Sequence, residues 1–520
     1  MAPRDFASEI ANGYSFEEPS LLLGAPLRDG AVAASARVRV PLSMLNRHGL
    51  IAGATGTGKT KTLQVLAEQL SEAGVPVFLA DVKGDLSGLA APGTADPKVV
   101  KRAESVGVPM APAACPVEFL SLTGSRGIPV RATISSFGPL LLARAMGLNE
   151  TQQAALAICF RYCDDKGLLL LDLSDLRAVL LHLTGPAAEE LRPYGGLAKA
   201  TAGVLLRHVT ELEQQGGRDF FGEPEFEVED LLRTDASGKG IVSILELADM
   251  QDRPDLYSTF LMWLLASLYR DLPEVGDVAK PKLVFFFDEA HLLFDEASKE
   301  FGEHIEQVVR LIRSKGVGVT FVTHSPRDVP ADVLAQLGNR VQHALRAFTP
   351  ADEKALRAAA NTFPRSEFYD IPETLKTLGV GEAIVTVLSP RGTPTPVVAT
   401  LLPPPMSRMG PATPEEIEGI VQKSPLHAEY ATAVDRESAR EELEGAASPG
   451  PRSAGTGASK ETRGAASNED DDEEPTLGEK LGKALESPAG KTLQRELVRG
   501  LFGVLGLRTA VRRRRRRSIF

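Results

Sequence analysis

Two short stretches carry side chains whose types and spacing can do chemistry. The first, Gly53-Ala54-Thr55-Gly56-Thr57-Gly58-Lys59-Thr60, fits the phosphate-binding pattern G-x-x-x-x-G-K-[ST]. Its glycines let backbone N–H groups approach phosphate oxygens, Lys59 brings charge to the β/γ-phosphates, and the Thr60 hydroxyl is expected to ligate magnesium. The second, "LVFFFDE" at residues 283–289, runs an apolar segment into two acids. Asp288 is expected to hold Mg²⁺ through water and Glu289 to polarise the attacking water. A protein that only binds nucleotide needs no second acid, so Glu289 specifically predicts hydrolysis. The cofactors implied are ATP and Mg²⁺; ATP is preferred over GTP because no N/T-K-x-D guanine motif occurs.

Other residues could complete such a site. Asp81 and Asp85, in "DVKGD", end a strand on the same phosphate edge. Thr323 and His324 end another, where a polar side chain can sense a γ-phosphate. Arg310 and Arg313 lie one helical turn apart, and Arg340 opens the following strand; in a ring, one such arginine can reach a neighbour's γ-phosphate. His291 completes the letters D-E-A-H that name a class of helicases, but it reads as a structural residue of the following segment. Cys159 and Cys163 share a helix face without a second Cys/His pair at zinc-site distance, which marks them as core residues.

These residues need a frame. "GLIAG" (49–53) and "VPVFLAD" (75–81) read as buried strands flanking an amphipathic helix with Leu63, Leu66, Ala67 and Leu70 on one face. Strand–loop–helix–strand order predicts an α/β fold with a largely parallel sheet. Further strands are expected at 240–247, 282–288, 318–324, 340–347 and 382–389, with an apolar helix at 256–272 between the first two. Residues 136–235 show helical periodicity and few strand signals, so a helical insertion is expected there.

The assignment along the chain is an N-terminal arm (1–40), a core in two parts (41–135 and 236–405) around the insertion (136–235), a linker (406–475), and a tail (476–520). The linker is expected to be largely disordered from about residue 440, because its Ala, Ser, Gly, Pro and acidic composition buries too little apolar surface. The tail combines an amphipathic helix (Leu493, Leu497, Leu501, Phe502, Leu505) with Arg512–Arg517. That cluster could contact DNA phosphates or an acidic membrane surface, or fold back on Glu469–Glu474.

A net charge of −11 counts against a surface that is basic all over, so nucleic acid would have to meet a local patch. Three cysteines make no disulfide framework, which favours a reducing cytoplasm. The first residues lack the basic start and apolar core of a signal peptide, and no apolar run approaches the ~20 residues that span a bilayer, so no integral membrane segment is expected.

Beyond motifs, "RHGLIAGATGTGKT", "DVKGDLSGLA", "FFGEP", "LPEVGDVAKPKLVFFFDEAHLLF", "IEQVVRLIRSKGVGV" and "QLGNRVQHALRAFTP" closely resemble the YjgR-like branch of the HerA/FtsK superfamily, over residues 15–405. The resemblance implies a RecA-like P-loop ATPase core and a homo-oligomer, commonly a hexameric ring that pumps DNA or protein. It carries Gly53–Thr60 over as the P-loop, Asp288 and Glu289 as the metal and catalytic acids, and Arg313 as the arginine finger. The chain departs from the family pattern at His324, where members have Gln. It also departs before the P-loop, where about 50 residues stand in place of a β-barrel domain. A DNA motor and a nucleotide-dependent switch or scaffold are the two readings carried forward. A superfamily-2 helicase is disfavoured, because its arginine-rich final motif is absent.

Overall fold

Strands here are short, apolar and buried on both faces, as expected where helices cover a sheet from either side. The computed structural model describes residues 5–447 apart from 34, 251–253 and 295–298. The tail assigned to 476–520, with Arg512–Arg517, and the part of the linker from 448 to 475 lie outside the described residues.

Among the described residues thirteen strands form one sheet. In chain order they are β1 (Ser20–Arg28), β2 (Ala31–Val32), β3 (Val38–Pro41), β4 (Gly49–Ala52), β5 (Val77–Asp81), β6 (Val117–Ser121) and β7 (Ile128–Pro129). They continue with β8 (Val242–Glu246), β9 (Leu283–Phe287), β10 (Val317–Thr323), β11 (Asn339–His343), β12 (Glu382–Thr386) and β13 (Val398–Leu401). The order across the sheet is β2-β1-β13-β12-β11-β4-β10-β9-β5-β8-β6-β7, with β3 on β1. From β7 to β11 every pairing is parallel; β11–β12, β12–β13 and the pairings of β1 are antiparallel. The fold is therefore α/β with a mostly parallel sheet, extended by an antiparallel wing.

Register places the chemistry on one edge. Thr323 pairs with Ala52, Phe287 with both Phe321 and Ala80, and Asp81 with Glu246. The C-terminal ends of β4, β10, β9, β5 and β8 thus lie side by side. The strand of the two acids is not next to the P-loop strand: β10 runs between β9 and β4.

Helices Ile134–Ala145, Glu150–Lys166, Leu173–Thr184 and Lys199–Leu212 occupy the interval between β7 and β8. Two of them open with full capping boxes, Asn149 with Gln152 and Asp172 with Asp175. Phe137 and Phe220 pack on Trp263 of the helix Pro254–Asp271, joining these helices to the apolar core. Cys159 and Cys163 are buried there, and burial pushes the Cys159 thiol up to about 12.

Two segments differ from expectation. Residues assigned to the arm include β1 and most of β3, and the helix Phe6–Gly13 ahead of them buries Phe6 and Ile10. Residues 406–447, assigned to the linker, fold onto the core through helices Pro414–Val421, Pro425–Tyr430 and Ala439–Ala447. Ile417, Val421, Leu426, Tyr430 and Ala439 are all buried. Ahead of those helices the chain straps the helix that follows the P-loop: Glu68 accepts from the Met406 and Ser407 N–H groups at 2.9 and 2.8 Å, and Gln64 donates to Ser407 Oγ and the Arg408 carbonyl.

Candidate active site

The P-loop hangs between two strand ends. Gly53 N–H donates to the Thr323 carbonyl at 3.2 Å, and Ala54 N–H to the Ala344 carbonyl at 2.9 Å. Glycine is required at Gly53, whose φ is +158° and where a Cβ would lie 2.4 Å from His343 Cβ. Gly58 (φ +114°) turns the chain into the helix Lys59–Glu72, whose first N–H groups have no capping side chain. Those open donors and the helix dipole suit an anionic phosphate. Thr55 and Gly56 are exposed at the tip, Thr57 donates its hydroxyl to the Ala54 carbonyl at 2.7 Å, and Thr60 is half-buried.

Lys59 is buried and donates to the P-loop's own Gly53 carbonyl at 2.8 Å. Its Nζ also stands 3.3 Å from His324 Nδ1. On the other side of the ring, His324 Nε2 lies 3.2 Å from Glu289 Oε2. His324 therefore bridges the P-loop lysine and the candidate catalytic acid. Burial, the first cause, lowers the His324 pKa, and the Glu289 charge opposes that fall.

Asp288 and Glu289 follow β9 directly, and both are buried. Asp288 Oδ2 has no hydrogen-bond partner. Burial, then the charges of Glu289, Asp81 and Asp85, push its carboxyl up to about 7. A buried carboxylate oxygen without a partner is costly by itself and fits a cation. The side-chain observation that fits a divalent cation such as Mg²⁺ here is this Asp288 oxygen. Glu289 takes φ +49°, ψ +47°, a left-handed conformation that costs about 1–2 kcal/mol in a residue with a side chain and gathers at functional sites.

Three groups surround the Glu289 carboxylate. Lys83 pairs with Oε1, while His291 Nδ1 and His324 Nε2 lie 3.3 and 3.2 Å from Oε2. The two histidine contacts are at ion-pair distance but off hydrogen-bond geometry, and Oε2 and His291 Nδ1 count among the buried atoms without a hydrogen bond. Burial raises the Glu289 pKa, but Lys83, His324 and His291 together outweigh it and hold the carboxyl below its ordinary value. Glu289 is thereby kept ionised, the state that can accept a proton from water.

The remaining candidates separate. Asp81 is fully buried, and its two oxygens accept from Gly84 and Leu86 N–H at 2.8 Å each, so it shapes the turn that presents Lys83. Lys83 was missed although it lies inside "DVKGD"; the signal was a cation between two acids. Arg340 donates to the Leu334, Leu337 and Thr362 carbonyls, which makes it a structural clamp. Arg313 precedes β10, at the sheet edge opposite the P-loop. Six residue steps at about 3.3 Å put it about 20 Å or more from its own chain's site. Its partner there is Asp277, 3.5 Å away and 83% exposed. Arg310 is exposed on the preceding helix.

Among the described residues no helix is long and apolar enough to cross a membrane. The family model described as "Helicase HerA-like C-terminal" matches residues 27–512. Curated relatives include the DNA double-strand break repair helicases HerA of Sulfurisphaera tokodaii and Saccharolobus solfataricus, each 22% identical over 377 residues. Each alignment covers 68% of this chain, which spans only 65% and 64% of the length of those relatives. Among solved structures, the trigonal form of the bacterial conjugative coupling protein TrwBdeltaN70 in complex with sulphate superposes with a TM-score of 0.50 at 16% identity. That superposition covers 78% of this chain and 94% of the other, and it is a likeness of fold.

Proposed function

Because the chain belongs to the helicase HerA-like C-terminal family, we propose that it is a magnesium-dependent ATPase that works as a ring of identical copies. The observation that carries this reading is the continuous contact Lys59–His324–Glu289, at 3.3 and 3.2 Å, which joins the phosphate-binding loop to an ionised base.

ATP phosphates take the open N–H groups at Gly58 and the start of the following helix, and Lys59 turns from the Gly53 carbonyl toward them. Mg²⁺ supplies charge neutralisation at the transferring phosphoryl group, with Thr60 and Asp288 as the residues that hold it. Glu289 orients water and takes its proton. His324 touches both Lys59 and Glu289, so a phosphate that draws Lys59 away changes what His324 offers the carboxylate. This is the expected behaviour of a γ-phosphate sensor. Arg313 is assigned to a neighbouring copy's site: it is unusable in its own chain, and its ion pair with an exposed aspartate is weak enough to give up.

DNA as the moved polymer rests on the relatives, which are DNA repair helicases by name. The second reading, a slow nucleotide-dependent switch, is favoured by one observation: Lys83 already occupies Oε1 of the base. One experiment separates them. ATPase rate is measured with and without double-stranded DNA at rising salt; stimulation that fades with salt supports the motor, and a rate indifferent to DNA supports the switch. Lys59→Ala should abolish nucleotide binding in either case, and retained binding would refute the site.

A further inference from the structure

Glu289, His291 and His324 each offer one ligand atom, and these three atoms lie within 4.8 Å of one another; Glu289 Oε2 is the carboxylate atom nearest His291 Nδ1 and His324 Nε2. Two of the three separations, 3.3 and 3.2 Å, match a tetrahedral ion. Metal–ligand bonds of about 2.0–2.2 Å at the tetrahedral angle place donor atoms about 3.3–3.5 Å apart. Two imidazoles and one carboxylate are a donor set for Zn²⁺ and similar divalent transition ions, and a poor one for Mg²⁺. Glu289 is about nineteen-twentieths buried, and its Oε2, like His291 Nδ1, lacks a hydrogen-bond partner although both are enclosed. A carboxylate oxygen and two imidazole nitrogens thus converge without a hydrogen bond between them.

We propose that Glu289, His291 and His324 form a site for a divalent transition ion of the Zn²⁺ class, and that its occupation switches the ATPase off. The site itself stands on these contacts. The inhibition rests on the reading of Glu289 as the base, because an ion on Oε2 removes the lone pair that would accept the water proton. One local cost is identifiable. Lys59 only donates, so beside it His324 Nδ1 is the acceptor and Nε2 carries the proton. Ion uptake exchanges that proton for one on Nδ1 and turns Lys59 off the ring. Lys59 keeps its 2.8 Å bond to the Gly53 carbonyl when this happens. Asp288 beside Glu289, and the Asp81 and Asp85 charges near Asp288, offset the added positive charge.

The test uses the nucleotide-free full chain titrated with Co²⁺, whose visible bands report tetrahedral nitrogen and oxygen ligation, and with Zn²⁺ in competition. One ion per chain with tetrahedral bands is expected. Loss of outer-shell partners alone costs about 10–100-fold in metal affinity, so His291→Ala and His324→Ala should each weaken binding at least tenfold. Absent bands, or bands unchanged in His291→Ala, would overturn the site. In the second arm, turnover is followed in excess Mg²⁺ as Zn²⁺ rises. Wild-type rate should fall in step with occupancy. His291→Ala, read as a fraction of its own metal-free rate, should resist Zn²⁺ at least tenfold better, and inhibition at the wild-type Zn²⁺ concentration would overturn the proposal. An occupied site with undiminished turnover would overturn the inhibition and the assignment of Glu289 as the base, while leaving the ion site standing.

Discussion

Glu246 ends β8 beside Asp81, is almost fully buried, and neither carboxylate oxygen has a hydrogen-bond partner. Burial, with Asp249 adding to it and Arg126 opposing it, pushes its carboxyl from 4.5 up to about 7. Asp81 is pushed up to about 7 as well, by burial and by Glu246. Between about pH 4.5 and 7 the folded chain then holds a proton on Glu246 that the unfolded chain has released. Stability contributed by this group therefore falls as pH rises through that window, and the loss is complete above 7. At ~1.36 kcal/mol per pKa unit the full loss is on the order of 3 kcal/mol, of which roughly a quarter is already incurred at pH 5. Glu246→Gln removes the titration. Its amide also lacks partners, but that penalty does not depend on pH and cancels when two pH values are compared. The variant should therefore gain roughly 2–3 kcal/mol on wild type between pH 5 and pH 8. For the compact unit Met1–Ala447, an unfolding entropy of about 2.1 cal/mol/K per residue gives about 0.9 kcal/mol/K, hence about 3 °C. Differential scanning calorimetry of nucleotide-free wild type and variant at the two pH values measures it. A Tm difference that is the same at pH 5 and pH 8 would refute the raised carboxyl.

Glu289→Gln should retain ATP binding and lose turnover by about 10²–10⁴-fold, the usual worth of a positioned base; full activity would remove the catalytic assignment. Arg340→Ala should lower Tm through three unpaired carbonyls, at roughly 1 kcal/mol each, without changing ATPase per folded molecule. Arg313→Ala should lower turnover while leaving Tm within about 1 °C, since an exposed ion pair contributes about 0–1 kcal/mol. Adding wild-type chains to it should restore rate more than proportionally, and strict proportionality would argue against a trans role. A chain ending at residue 405 should melt well below one ending at 447, because Glu68 and Gln64 would lose their partners on the strap; circular dichroism during heating decides this.

How far the residues announced this structure varies along the chain. β4, β5, β9 and β10 were readable because strands buried on both faces are unbroken apolar runs. The P-loop and the Asp288–Glu289 pair were readable because their patterns are local. β1 was hidden in the arm: its local partners β2 and β3 form only a short ribbon, while β13, which joins it to the main sheet, pairs Ala25 with the distant Leu401, and nothing in "SLLLGAPLR" names that partner. The strap and the helices after 413 read as linker because their apolar residues are sparse and each short helix is buried against a different distant element. At the site, Asp81 stands on the expected edge of the sheet, with its two oxygens accepting from the turn that follows it. What the turn delivers is Lys83, whose meaning depends on Glu289, 206 residues further on. His291 was assigned a structural role, and only the chain reversal after β9 brings it to the carboxylate.

The helix Lys59–Glu72 is clasped from both ends of the described chain: Gln69 exchanges bonds with the Leu22 backbone at 2.7 and 2.9 Å, while Glu68 and Gln64 hold the strap. On the ribosome, the first clasp is present as soon as the helix emerges. The second requires synthesis to reach Met409, whose carbonyl receives Lys61. About 350 residues at about 5–20 residues per second is a wait of about 20–70 s. During that interval β9, β10 and β11, which complete the sheet around β4, are also still to come. The P-loop helix is thus translated long before the strap that completes its clasp.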